Sequence, residues 1–509
     1  MIISLSVLVI TIIVSGTYAL YKAQLSKNIG VNTTTHGLAY YINYVKGTDI
    51  TAATLNPSTS YEGGASSDIE FWKKDDSYDI YGKIELTVNT IGTNLSNSPA
   101  LKYAVVNNGN VLKEGSLKGT TSGSKVTILK NLYLEQTKQI YTVYVWLDNS
   151  EELGNISNES LSISVDCTAS LQKEPTAADT IISLYTSAAK VTATNNSITY
   201  NTAPSVSLMN DRLGGTTTDL DGGNIRYYGA NPNNYIYFNC SDYSNQTSST
   251  CETWRIIGVF DGKLKIMRNE FIGNYSWDNK NTSTGAEDTE GKNDWTTARL
   301  MKLLNPSNYY TIDSNDNNLG QSLYYNSASG KCYRSSNNAT VNCDFTSTGI
   351  KNEETRNMIA ETTYNLGGWN SFSVYPNEIY EYERGTTVYT DRPTTWTGKI
   401  ALAYPSDYGY AADLNQCVNK QLNKYNDSTC TSNNWMKAII TNNGGNFGWL
   451  LTPDSSSSYS AWCVYFNGYV GNCNANVTNL GVMPVLYLSS KLGIESGDGS
   501  SSNPYKLSI

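Results

Sequence analysis

Nine cysteines, a single histidine and one tight group of carboxylates bound the chemistry open to this 509-residue chain. Cys240, Cys251, Cys332, Cys343, Cys417, Cys430, Cys463 and Cys473 form neighbouring pairs 11, 11, 13 and 10 residues apart, and Cys167 stands alone. Eight cysteines allow many connectivities. Each neighbouring pair brackets a loop rich in Gly, Asn and Ser, so sequential local disulfides are the simplest reading, each contributing ~3 kcal/mol by restricting the unfolded chain. Zinc is the rival reading, but no C-x-x-C spacing occurs and no histidine lies beyond His36. Disulfides in turn imply an oxidising destination outside the cytoplasm.

Acid–base equipment is sparse. With His36 alone and far from the cysteine-rich region, Ser–His and Cys–His nucleophile systems have no base there. Glu378, Glu381 and Glu383 cluster in NEIYEYERG, and Asp407 lies in PSDYGY. A glycosidase needs two carboxyls ~5–9.5 Å apart across a cleft, and these are the candidates for such a pair. The structural alternative is a Glu383–Arg384 ion pair. TDLDGGN offers Asp219, Asp221 and Asn224 as oxygen ligands for calcium, but EF-hand spacing is absent and these residue types also build turns. No catalytic residue and no cofactor is therefore assigned, and no metal beyond that calcium alternative.

Aromatic side chains are the remaining resource. Eight tryptophans, from Trp254 to Trp462, fall in the C-terminal part of the chain. Tyr and Trp pair a flat apolar face with a polar edge, which suits binding of sugars or proteins. Trp254 and Trp295 lie on predicted inward stripes. Trp435, Trp462 and Tyr469 lie nearer loops and are the candidates for a ligand-binding face.

The wider composition agrees. Charged residues are 16% and tyrosines number 39, against a usual charged share of about 25%. Tyr and Thr fit pleated strands. A net charge of −9 without basic clusters argues against nucleic acid. Residues 1–25 begin with an uncharged run, MIISLSVLVITIIVSGTYAL, and a helix over 2–21 would just cross a hydrocarbon layer of ~30 Å. It reads as a retained membrane anchor or as a signal segment cut after Ala19.

Four segments follow from the patterning. After 1–25, residues 30–170 read as a β-sandwich. Ile80, Ile84, Leu86 and Val88 alternate with polar residues, as do Tyr141, Val143, Val145 and Leu147, and Leu161, Ile163, Val165 and Cys167. Asn108-Gly109 marks a hairpin, and Cys167 is expected as a buried inert thiol. Residues 171–205 read as a linker with a short helix capped by Thr176 and Asp179. Residues 206–509 read as an α+β domain. It holds a hairpin at Asp261-Gly262, a helix in WTTARLMKLLNP, a second helix in NEETRNMIAETTYNLGG, and a clip between Cys463 and Cys473 around Asn467-Gly468. The overall class is multidomain: hydrophobic helix, all-β sandwich, disulfide-stapled α+β domain.

Several stretches resemble a C-terminal domain found on prepilin-like surface proteins of low-GC Gram-positive bacteria: RYYGANPNNYIYFNC, CETWRIIGVFDGKLKIMRNE, YSWD, WTTARLMKLLN, YERG, WTGKIALAYPSDYGYA and GDGSSSNPYKLSI. More distantly, GWLLTPD and GVMPVLYL resemble the closing segment of domains with a C-type-lectin-like or sulfatase-modifying-factor core. TVYVWLDNSEE, within 30–170, resembles the sandwich of camelysin and TasA-type matrix-fibre proteins. The resemblance implies a non-catalytic protein at the cell surface, membrane-anchored or secreted, acting as an adhesin or binding module toward glycans or host and surface proteins. The alternatives are a self-assembling pilus or matrix-fibre subunit, and a cell-wall glycan hydrolase using paired carboxylates.

Overall fold

The computed structural model describes residues 23–25, 41–52, 55–151, 153–156, 158–213, 223–278, 290–312, 320–332, 341–442 and 447–508. The expected hydrophobic helix at 2–21 and His36 lie outside these residues. Among the described residues no helix is long and apolar enough to cross a membrane. The chain divides into two units, Met1–Glu174 and Pro175–Ile509.

The first unit is built from strands whose side chains alternate in and out. Tyr81–Ile91 buries every second residue through Val88, with Ile84, Leu86 and Val88 fully enclosed. One sheet runs Ala23–Leu25, Leu161–Ser170, Tyr81–Ile91, Lys125–Tyr133, with Ile50–Thr51 added to Leu161–Ser170. The other runs Ile42–Val45, Ala65–Lys73, Ile140–Asp148, Leu101–Asn107, Asn110–Ser116, with Pro57–Ser58 parallel to the end of Ile140–Asp148. Their inner faces share one core, in which Leu86 and Val165 from the first meet Phe71 and Val143 from the second. Burying each such side chain contributes roughly 1.5–3 kcal/mol. The Asn108-Gly109 turn has φ of 48° and 76°, the left-handed geometry a two-residue hairpin requires. Cys167 is buried and free, and enclosure drives its thiol pKa well upward.

In the second unit the main sheet is antiparallel, in the order Val191–Asn195, Ile198–Ala203, Leu208–Asn210, Ile225–Tyr227, Glu252–Phe260, Lys263–Arg268, Val485–Tyr487, Ile400–Ala401. Tyr235–Phe238 also pairs with Glu252–Phe260. A separate three-stranded sheet joins Phe447–Pro453, Ser460–Tyr465 and Val470–Asn474. Four disulfides, Cys240–Cys251, Cys332–Cys343, Cys417–Cys430 and Cys463–Cys473, close the neighbouring pairs, and the last bridges the Asn467-Gly468 hairpin. This disulfide set is that of a protein matured outside the reducing cytoplasm.

Two expectations change. Most of residues 171–205 are not a linker. Thr176 and Asp179 do form a reciprocal cap on the helix Ala177–Ser187, but that helix buries Ile181 and Tyr185 in the core of the second unit. Val191–Asn195 and Ile198–Ala203 continue its main sheet. A polar surface pattern concealed strands that need only one buried face. The second helix also ends early. It covers Glu353–Met358, after which Thr362–Asn365 pairs with Thr395–Gly398, because the run Thr362, Thr363, Tyr364 fits a strand better than a helix. WTTARLMKLLNP is helical over Arg299–Leu304, preceded by a turn in which the Asp294 side chain accepts from Thr296.

Candidate functional site

Two glycines place the aromatic surface of the second unit. Gly367 and Gly368 precede Trp369. A Cβ on Gly367 would lie 2.3 Å from the Tyr382 carbonyl, and one on Gly368 would lie 2.4 Å from the Pro453 carbonyl. Their missing side chains let the loop press between the helix Pro376–Glu383 and the strand Phe447–Pro453. Trp369 then lies flat on Tyr382, centroids 3.7 Å apart with the planes 3° from parallel. Both are half-buried, as is Phe372 beside them. Phe372 meets Trp462 edge to face at 4.7 Å. The Trp462 indole donates to the Trp369 carbonyl at 3.2 Å. The result is a ledge of Trp369, Tyr382 and Phe372 on a floor of Trp462.

The expected ligand-binding residues fall differently. Trp462 is fully buried and supports the ledge rather than forming its surface. Trp435 is also buried, its indole donating to the Tyr227 carbonyl at 3.0 Å beneath the Arg255 guanidinium. Both contradict an exposed placement, because proximity to loops in sequence does not set depth. Tyr469 is half-buried, edge-on to Tyr465 at 5.3 Å, on the hairpin whose turn carries Phe466, 58% exposed. Trp369 and Tyr382 were missed. The signal for them was the Gly-Gly-Trp sequence.

Helix Pro376–Glu383 links this ledge to a charged interior. Tyr382 points to the ledge, while Tyr380 and Glu383 are buried. Glu383 accepts from the Ser406 amide at 2.9 Å and hydroxyl at 2.6 Å, and from Arg384 at 3.3 Å. Burial pushes its carboxyl up to about 7 despite those donors. Arg384 covers the Tyr380 ring at 3.4 Å. Next along the chain, Asp407 accepts from Arg226 at 2.8 Å, from the Tyr404 amide at 2.9 Å, and from Lys265. Arg226 also binds Asp211 at 2.5 Å. Burial acts to raise Asp407, but Lys265 and Arg226 override it and hold the carboxyl below its usual range. Burial draws the Lys265 ammonium down to about 8 against the pull of Asp407.

Two of the carboxylates weighed for glycoside hydrolysis are thus spoken for. Glu383 and Asp407 are 0% and 2% exposed, sealed from any substrate in this structure, and the Glu383–Arg384 pair forms. Glu378 accepts from the Tyr375 amide at 3.0 Å at the start of its own helix, and Glu381 is exposed. Of the calcium candidates, Asp219 and Asp221 lie outside the described residues. Asn224 donates to Asp211 and to the Leu213 carbonyl, which leaves its amide inside the Arg226 network. All eight paired cysteines are oxidised, so none is a free nucleophile.

No protein-family profile matches the chain, and no curated protein matches it. Among solved structures, one titled as the crystal structure of a single-residue mutant of HCR/D aligns at 12% identity over 49% of this chain and 85% of its own, with a TM-score of 0.14. A quasi-atomic model of the PBCV-1 virus capsid aligns at 11% identity over 43% of this chain and 59% of its own, with a TM-score of 0.13. Superpositions at that level carry no argument about fold or function.

Proposed function

We propose that this chain is a non-catalytic surface protein of the prepilin-like, low-GC Gram-positive kind, in which a β-sandwich stalk accompanies a disulfide-stapled binding head with a C-type-lectin-like core. The head acts as an adhesin toward glycans or surface proteins. One observation carries this reading: the stacked Trp369–Tyr382 pair, with Phe372 alongside, stands half-exposed on a head whose loops are clipped by disulfides. A rigid aromatic ledge offers contact area at little entropic cost, and its apolar face suits the C–H face of a sugar ring. A hydrophobic segment at 2–21 would deliver or anchor the protein.

The test is a glycan array followed by calorimetry with the purified full chain and its Trp369→Ala variant. Binding by the wild type that the variant loses supports the reading. No binding to any glycan or surface protein, or binding untouched by Trp369→Ala, overturns it.

Self-assembly is a second reading with its own support. Asn110–Ser116 ends its sheet among the described residues with Val111 and Leu112 exposed, an edge able to pair with another chain. Filaments in electron micrographs of purified protein would favour it over an adhesin that stays monomeric.

A further inference from the structure

Arg255 is a buried cation without an anion. It lies on strand Glu252–Phe260, directly across from Tyr235 on strand Tyr235–Phe238, and is 4% exposed. Its Nε donates to the Asn234 side-chain oxygen at 2.6 Å and its Nη2 to the Pro232 carbonyl at 3.4 Å. Both partners are neutral. The guanidinium carbon stands 3.7 Å from the centre of the Tyr235 ring and 5.0 Å from that of Trp435. Arg226, Arg268 and Arg299 are buried to a similar degree, and each bonds to a carboxylate. Arg255 has none within reach among the described residues. Its Nη1 has no partner among them either, and it is not one of the unpartnered atoms closed off from solvent, so it opens to the surface.

A charge taken out of water without a counter-ion is costly. Burial pulls the Arg255 guanidinium down to about 10, with Tyr235 acting the other way, and it stays charged at neutral pH. The surroundings hold it still. Asn234 donates to the Ile256 carbonyl at 2.7 Å while it accepts from Arg255, and the Trp435 indole is tied to the Tyr227 carbonyl at 3.0 Å. The cation is therefore fixed before any ligand arrives, which lowers the entropic cost of binding one. Around it the side chains are polar and uncharged. Asn231 and Asn233 are exposed and Tyr235 is half-buried, its hydroxyl 3.5 Å from the Asn231 side-chain oxygen.

We propose that Arg255 anchors a second binding site on the head, which takes the carboxylate of an acidic sugar. A guanidinium presents its N–H groups in the geometry that a planar carboxylate accepts. The amides of Asn231 and Asn233 and the phenol of Tyr235 can both donate and accept, which is what the hydroxyls of a sugar ring require. A bound carboxylate supplies the negative charge that the fold leaves out at Arg255 alone of these four arginines. The site rests on the proposed function only for the glycan class of its ligand. The aromatic ledge selects ring faces, whereas Arg255 selects charge.

Saturation-transfer NMR on the purified full chain tests it. The probes are glucuronate, galacturonate and N-acetylneuraminate, each beside its own methyl ester. At least one acid should receive saturation and bind about tenfold or more tighter than its ester. The ester keeps every ring face that the ledge could use, so the ratio reads the charge and not the stack. Arg255→Gln should bring acid and ester level, and Asn231→Ala, at an exposed position, should weaken the acid. No saturation of any acid overturns the proposal. So does equal binding of acid and ester, which leaves the ledge untouched. Acetate or inorganic sulfate binding as tightly as the sugar acid overturns it in favour of a bare anion site, and a folded Arg255→Gln that still prefers the acid overturns it as well. Where Arg255→Gln does not fold, the acid-to-ester ratio of the wild type and the response of Asn231→Ala decide.

Discussion

The Trp369 ring lies parallel to the Tyr382 ring at 3.7 Å, and Trp462 beneath fixes the Trp369 backbone through its indole nitrogen. Stacked aromatic pairs contribute about 0.5–1.5 kcal/mol beyond the area they bury. Trp369→Ala is therefore expected to lower unfolding free energy by a modest amount, read from guanidinium titration, while weakening ligand binding ~10-fold or more, the scale of an interface hot spot. A large loss of stability with unchanged binding would make the stack purely structural.

Gly368→Ala tests the placement of the ledge. The added methyl would sit 2.4 Å from the Pro453 carbonyl oxygen, a backbone atom that cannot swing aside. Overpacking of this kind costs typically 1–3 kcal/mol. We expect a lower denaturant midpoint and a changed Trp fluorescence spectrum as Trp369 shifts off Tyr382. Unaltered fluorescence would mean the loop has slack that the packing does not suggest.

Acid–base titration of stability should expose Glu383. Its ordinary value is 4.5, and burial raises it to about 7 in the folded chain, with Arg384 and Ser406 opposing and Asp407 adding to the rise. The folded state keeps a proton that the unfolded chain releases, so stability falls with rising pH across that window. The contribution is fully present below about 4.5 and is lost as pH passes about 7. Glu383→Gln cannot titrate, and urea midpoints measured from pH 4 upward should lose that slope.

Thiol chemistry should divide sharply between native and unfolded protein. Cys167 is enclosed and its thiol is pushed well up, so native protein should show no reactive thiol and guanidinium-unfolded protein one per chain. Three reactive thiols would mean that one of the four disulfides is open.

Replacing Cys417 and Cys430 together by serine removes a clip spanning 13 residues. Loop-closure entropy puts the expected loss at ~3 kcal/mol. It should appear as a lower denaturant midpoint with far-ultraviolet circular dichroism unchanged at low denaturant.

Local information was legible in the sequence, and long-range information was not. The alternation in Tyr81–Ile91, the Asn108-Gly109 and Asp261-Gly262 turns, the Thr176–Asp179 cap and the neighbouring cysteine pairs each depend on residues close in the chain. The depth of Trp435 depends on Tyr227, which accepts from its indole across 208 positions. The strand at Thr362–Asn365 depends on a partner at Thr395–Gly398. The charged interior assembles Arg226, Lys265 and Asp407 from three separate elements and Asp211 from a loop, and no spacing announces it. The ledge lay between these cases: Gly367-Gly368 marked a close backbone approach, but not what it approached.

All four disulfides join residues only 10–13 apart. Pulled by its two ends, the chain would therefore lose little reach to them. Each would hide about 3–5 nm of contour length at ~3.5 Å per residue, and the rest of the head would pay out once its packing gave way. Short-range clips of this kind make the head a tether that spools out under load rather than one that stays short and stiff.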